Sequence, residues 1–272
     1  MYEYFFGLRE RPFNVTADPA FLFLSRRHKE AFSHLIYGIK ERKGFLEITG
    51  EIGAGKTTLC KALLNCLDQN TKTALILNPT LSRFELLKTI IRDLGIGAKK
   101  KSGSSLIAEL NKFLIEQLSY GNNVVLIIDE AQNLSPSLLE QVRLLSNLET
   151  EKEKLLQIIL VGQPELRDKL RSPGLTQLRQ RISVRYHILP LEEDEVQAYI
   201  RHRLTVAGEN NSVYFSPGAN AEIYQYTKGV PRIINIICDK SLLAAYVKET
   251  RTIDAALIRQ AIQELEGEVV YT

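Results

Sequence analysis

Paired cysteines are missing from this chain. Its 272 residues include three, Cys60, Cys66 and Cys238, none in a C-x-x-C spacing. Neither a disulfide framework nor a zinc site is therefore expected, and reduced thiols in apolar helical patterns are the simplest account. No apolar run approaches the ~18 residues of a membrane span, and the N-terminus lacks a signal-peptide profile. A charge excess of one sign is absent too. Thirty-five Lys and Arg face 32 Asp and Glu, a net charge of +3, too small by itself to imply nucleic acid. Low-complexity tracts are lacking. The expectation is a soluble cytoplasmic chain, long enough for a full α/β core plus a smaller domain.

What is present is organised around Gly50-Glu51-Ile52-Gly53-Ala54-Gly55-Lys56-Thr57, which fits G-x-x-x-x-G-K-[ST]. It follows the apolar run Phe45–Thr49 and opens a helix-like segment from Thr58. That strand–loop–helix context is what a phosphate-binding loop requires. Its glycines let successive N–H groups turn toward one anion, with the helix N-terminus behind them. Lys56 suits the β- and γ-phosphates, and the Thr57 hydroxyl suits a Mg²⁺ ligand position.

Before the loop, residues 1–30 carry aromatics and prolines without periodicity. Two readings stay open for Pro12, Phe13 and Asn14: an arm packed across a larger body, or a flat apolar cover over an adenine. Ser25 is expected to cap a helix through Ile39. After the loop come strands at Thr73–Leu77, Val124–Ile128, Gln157–Val161 and Ser183–Leu189, with helices near 82–94, 104–119 and from Ser135. The connector around Lys99–Lys101 reads as a solvated loop, or as a partner or DNA contact.

The run Val124–Ile128 reads as a central parallel strand ending in two carboxylates, where open α/β sheets bind ligands. Asp129 suits the outer shell of a Mg²⁺ or a direct ligand role. Glu130 can act as general base on a water. Gln163, after the fourth strand, could hold the γ-phosphate or that water. Residues 165–181 contain five basic side chains, Arg167, Lys169, Arg171, Arg179 and Arg181.

After Pro190 four helical segments follow without strands, near 192–207, 217–228, 231–248 and 254–266. The expected organisation is an arm over 1–30 near the adenine site, an αβα core over 31–190 and an all-helical lid over 191–272. Arg232 opens the third lid helix, where the helix dipole disfavours a cation. A phosphate from another element would offset that, and an exposed charge is the plainer alternative.

These motifs appear in AAA+ order. The opening Tyr2-Glu3-Tyr4-Phe5-Phe6-Gly7-Leu8-Arg9-Glu10-Arg11-Pro12-Phe13, the stretch Gly44–Thr58 and Gly162-Gln163-Pro164-Glu165-Leu166 further resemble the ATPase domain of the general secretion pathway A (ExeA-like) family, over residues 1 to about 266. The resemblance implies a five-stranded parallel sheet between helices with a helical lid, and ATP and Mg²⁺ as cofactors. ATP over GTP rests on it, since no guanine-specific N/T-K-x-D stretch is present. Carried over, Lys56 and Thr57 form the Walker A pair within Gly50–Thr58, and Asp129 and Glu130 the Walker B pair. Gln163 is sensor 1 and Arg232 sensor 2. Asn78 matches the polar switch that restrains the catalytic glutamate. Arg181, then Arg179, is the choice for an arginine finger acting in trans in a homo-oligomer. A secretion or envelope partner is implied. In the family a membrane helix and a peptidoglycan-binding domain often follow, whereas this chain stops at Thr272. It is expected to be either a cut-out ATPase domain or a stand-alone member, acting in the cytoplasm or at the cytoplasmic face of the inner membrane. Two other readings are a DNA-binding regulator resembling transposition helper ATPases and a nucleotide-gated interaction module, against which the intact Glu130 argues.

Overall fold

Side-chain caps set where several helices begin. Ser82 accepts from the Glu85 N–H while Glu85 accepts from the Ser82 N–H, a reciprocal box. Ser135 and Ser216 cap helices that have proline at their first position, and Asp254 caps the last helix. The computed structural model describes residues 1–77, 79–97, 103–151, 153–208 and 212–267.

In chain order the elements are α1 (Tyr2–Phe5), α2 (Arg26–Lys40), β1 (Phe45–Gly50), α3 (Lys56–Cys66), β2 (Thr71–Ile76), α4 (Arg83–Asp93), α5 (Gly103–Ser119) and β3 (Asn123–Ile128). Then follow α6 (Pro136–Leu145), β4 (Gln157–Gly162), α7 (Pro164–Leu170), α8 (Thr176–Arg181) and β5 (Ile182–Ile188). The last stretch holds α9 (Glu193–Val206), β6 (Tyr214–Phe215), α10 (Pro217–Thr227), α11 (Pro231–Val247), β7 (Thr252–Ile253) and α12 (Ala255–Glu266).

The chain divides into two compact units. One comprises Met1–His28, Glu51–Thr58 and Leu189–Thr272; the other comprises Lys29–Gly50 and Leu59–Ile188. The division falls within α2 and α3.

The second unit is built on a parallel sheet in the order β2-β3-β4-β1-β5. The strands β1 and β4 are buried along their whole length and β3 from Val124 onward, whereas the edge strand β5 alternates. That difference is what two covered faces impose on a central strand. Leu126, Ile128, Ile158 and Leu160 pack with Leu86, Ile90, Leu110 and Val142 of the helices. Each such side chain removed from water contributes about 1.5–3 kcal/mol before entropy is subtracted.

The first unit gathers the arm and the lid helices around a second core that includes Phe6, Phe13, Leu204, Ile234 and Ile258. Arg203 of α9 fastens the arm. Its guanidinium donates to the carbonyls of Pro12 and Asn14 and lies 4.7 Å from the Phe21 ring centroid. Buried charge of this kind persists only when its donors are used.

Two expectations are corrected. Residues 1–30, whose lack of periodicity gives no sign of regular structure before Ser25, do contain some, the short helix α1 and a 3₁₀ turn at Pro19–Phe21. The lid is not purely helical, because β6 and β7 pair in parallel. Two-residue strands are too short to show alternation, and their partners lie far apart in sequence. The segment 165–181, read only for its charge, folds into α7 and α8.

Candidate functional site

The loop Glu51–Gly55 runs from the end of β1 into α3, and its backbone is set by two glycines. Gly53 and Gly55 have φ of +79° and +90°, a region L side chains rarely adopt. Both are also crowded. A Cβ on Gly53 would lie 2.5 Å from the Cβ of Arg232, and one on Gly55 would lie 3.1 Å from His28 Nε2.

The loop is gripped by its carbonyls. His28 Nε2 lies 2.9 Å from the Ala54 oxygen, Lys56 Nζ donates to the Glu51 oxygen at 2.8 Å, and the Arg232 N–H donates to the Gly53 oxygen at 3.3 Å. A carbonyl only accepts, so His28 Nε2 carries the proton and Nδ1 accepts from the Ser25 hydroxyl at 2.7 Å. The same Ser25 oxygen accepts the His28 N–H at 3.2 Å, the expected cap of α2. Burial holds the His28 imidazole below its ordinary pKa, against the pull of the Ala54 carbonyl and Glu195. Lys56 is buried, Thr57 and Thr58 are half-buried, and Glu51, Ile52 and Arg232 are exposed. The Gly50 end of β1 pairs with Ile188.

The second unit, taken by itself, carries Asp129 and Glu130. Ile128 pairs in register with Leu160 of β4, and Gly162 with Thr49 of β1. Residues following these strands therefore emerge at one edge of the sheet, the carboxyl edge where open α/β sheets bind ligands. Asp129 is buried, and its N–H donates to the Ile76 oxygen at 2.8 Å. Glu130 adopts φ +52°, an uncommon left-handed conformation that costs about 1–3 kcal/mol in a non-glycine residue. Its N–H donates to Asp129 Oδ1 at 2.9 Å, and its Oε2 accepts from the side-chain amides of Gln132 and, at 3.2 Å, Gln163. The structure thus brings Asp129, Glu130 and Gln163 together, and adds Gln132, which the sequence reading passed over. A polar residue two positions past a carboxylate carries no signal until a 3₁₀ turn at Ala131–Asn133 folds it back.

The basic segment 165–181 separates by task. Lys169 donates to the carbonyls of Gln132 and Leu134. Arg181 Nη1 donates to Ser146 Oγ at 2.7 Å, while Arg179 is exposed on α8. Arg185, Arg167, Arg171 and Arg179 all act on Glu47, a buried β1 carboxylate that burial raises above its ordinary range and these four cations pull back.

The arm departs from one of its two readings. Phe13 is 2 % exposed and packs edge-on against Phe215 at 6.3 Å between centroids. Its ring belongs to the core of the first unit and has no face to offer an adenine, so that expectation is corrected in favour of packing. Asn14 is exposed, with its backbone oxygen held by Arg203. Asn78 and Lys99–Lys101 lie outside the described residues.

A glycine loop of the phosphate-binding pattern after β1, Asp-Glu after β3 and a parallel sheet in this order give the chain the AAA+ P-loop fold. A family model described as an AAA domain matches residues 39–170. The chain is similar to the general secretion pathway protein A of Aeromonas hydrophila, at 45% identity over 98% of this chain and 49% of that protein. It thus spans about half the length of this curated relative. Among solved structures, the ORC2 protein of Aeropyrum pernix superposes with a TM-score of 0.68 at 17% identity, covering 94% of this chain and 72% of that one. Cdc6p of Pyrobaculum aerophilum gives 0.68 at 17% identity over 90% and 70%, respectively. The RuvB branch migration motor of Thermotoga maritima gives 0.54 at 18% identity over 88% and 68%.

Proposed function

We propose that this chain binds ATP with Mg²⁺, hydrolyses it as a homo-oligomer, and serves the assembly of a secretion or envelope-export system. The observation that carries the catalytic part is the Glu130 carboxylate, held by two amides at the carboxyl edge of the sheet. In this reading the loop N–H groups and Lys56 hold the β- and γ-phosphates, and Arg232 adds charge there. Thr57 and Asp129 would hold the metal, a donor pair that suits an ion keeping water and phosphate as its other ligands. When bound, Mg²⁺ neutralises developing phosphate charge. Glu130 accepts the proton as water attacks the γ-phosphorus and the bond to the ADP oxygen breaks.

The finger is assigned to the Arg179/Arg181 pair, with Arg179 now first. Arg181 would have to give up Ser146 to reach a neighbour, whereas Arg179 is exposed. In an assembled sample Arg179→Ala should lower kcat about 10³-fold, the lower end of the range for such a group. Arg181→Ala should instead lower stability by about 1 kcal/mol through the lost Ser146 bond. The secretion role rests on the similarity to the Aeromonas protein.

The test is ATP turnover per subunit against protein concentration, beside Lys56→Ala. A rate that climbs with concentration and vanishes in the variant supports the oligomeric reading. A concentration-independent rate would rule out a finger in trans.

A second reading, duplex DNA binding, is favoured by the exposed Arg167, Arg171 and Arg179 around Glu47. It predicts binding that weakens steeply with salt and is lost on neutralising those arginines.

A further inference from the structure

The side chain of Gln132 is used at both ends. Its Nε2 donates to Glu130 Oε2, and its Oε1 accepts the Gln163 backbone N–H at 3.0 Å. A carboxylate requires a donor and an N–H requires an acceptor, so only one orientation of this amide satisfies both neighbours. The main chain of the same residue is pinned as well. The Gln132 and Leu134 carbonyls both accept from Lys169 of α7, the latter at 2.9 Å. Room for the amide comes from Gly162, where a Cβ would lie 2.8 Å from Gln132 Oε1. Glu130 needs such support, because its left-handed backbone does not by itself fix where the carboxylate points.

We propose that Gln132 is a positioning residue for ATP hydrolysis, orienting the Glu130 carboxylate jointly with Gln163. The inference rests on the reading of Glu130 as the base. The Gln132 amide makes no covalent change. It sets the angle at which the carboxylate meets a water, and reaction rate is steeply sensitive to that placement. A displacement of about 1 Å costs on the order of 10²-fold. Gln132 also links the two groups on either side, since it holds the Glu130 carboxylate with one end and the main chain of Gln163 with the other.

The test is a double-mutant cycle. Gln132→Met keeps the length and removes both hydrogen bonds. Gln132→Glu keeps the acceptor for the Gln163 N–H but loses the donor to Glu130. Both are made alone and in a Glu130→Gln background, with kcat, nucleotide Kd and melting temperature measured. Each single variant should lower kcat on the order of 10²-fold with Kd unchanged within about twofold. In the Glu130→Gln background neither should lower residual turnover by more than about twofold, because residues acting as a unit are non-additive. Wild-type turnover in Gln132→Met and Gln132→Glu overturns the inference alone, and so does an equal fold loss in both backgrounds. Full turnover in Glu130→Gln by itself overturns the reading of Glu130 as base, and the inference with it.

Discussion

The glycine loop and the carboxylate edge are held in opposite ways. Around the loop, His28, Lys56 and the Arg232 N–H all bond to main-chain carbonyls, at Ala54, Glu51 and Gly53. A loop that binds anions through its N–H groups can be gripped only where it does not bind, and its carbonyls are what remain. At the carboxylate edge the group proposed to react is itself a side chain, and Gln132 and Gln163 grip it directly. The first arrangement fixes a conformation; the second fixes one functional group.

The largest effect that would break this contrast is at Gly53. Gly53→Ala forces a side chain into left-handed backbone, costing about 1–2 kcal/mol, and drives its Cβ against that of Arg232. Nucleotide affinity should fall at least tenfold and the melting temperature should drop, while the amide pair on Glu130 stays intact. A calorimetric titration with ATP on a variant of wild-type affinity would show that the loop does not need this conformation.

Next comes the histidine. His28→Ala removes one buried hydrogen bond worth about 1 kcal/mol, and affinity should fall about fivefold. His28→Gln can still donate to the Ala54 carbonyl and should recover most of the loss. Equal affinities in the two variants would mean that the imidazole fills space and does not hold the loop.

The smallest effect is on pH dependence. His28 is held below its ordinary pKa, so the unfolded chain takes up its proton first as pH falls. Its contribution is fully present above about 6.5 and is lost as pH falls below that value. His28→Gln should flatten the acid limb of the unfolding curve. His202, also depressed by burial, leaves a residual slope. An identical limb in wild type and variant would contradict the buried neutral imidazole.

The central strands were legible because burial on both faces writes a continuous apolar run, as in Val124–Ile128, and Ser135 marked the start of its helix. The placement of Glu51–Gly55 between β1 and α3, and of Asp129 and Glu130 after β3, was legible because the motif has a fixed spacing; their roles remain the proposal made above. The grips were not. His28 looks like one polar residue in an amphipathic helix, and its partner Ala54 is 26 residues away. Gln132 acquires meaning only through the 3₁₀ turn and the β3–β4 register that bring it to Gln163. Phe13 was open to two readings because an aromatic in an aperiodic arm can cover a base or fill a core, and only Phe215 decides between them.

The most direct measurement separates binding from turnover in Lys56→Ala and Glu130→Gln, using nucleotide Kd and single-turnover hydrolysis on the same preparations. Lys56→Ala should lose affinity at least tenfold and fall to background turnover. Glu130→Gln should bind ATP within about twofold of wild type and hydrolyse it about 10²–10⁴-fold more slowly. A Glu130→Gln protein that turns over normally, or a Lys56→Ala protein that binds and hydrolyses like wild type, would contradict the division of labour between loop and carboxylate.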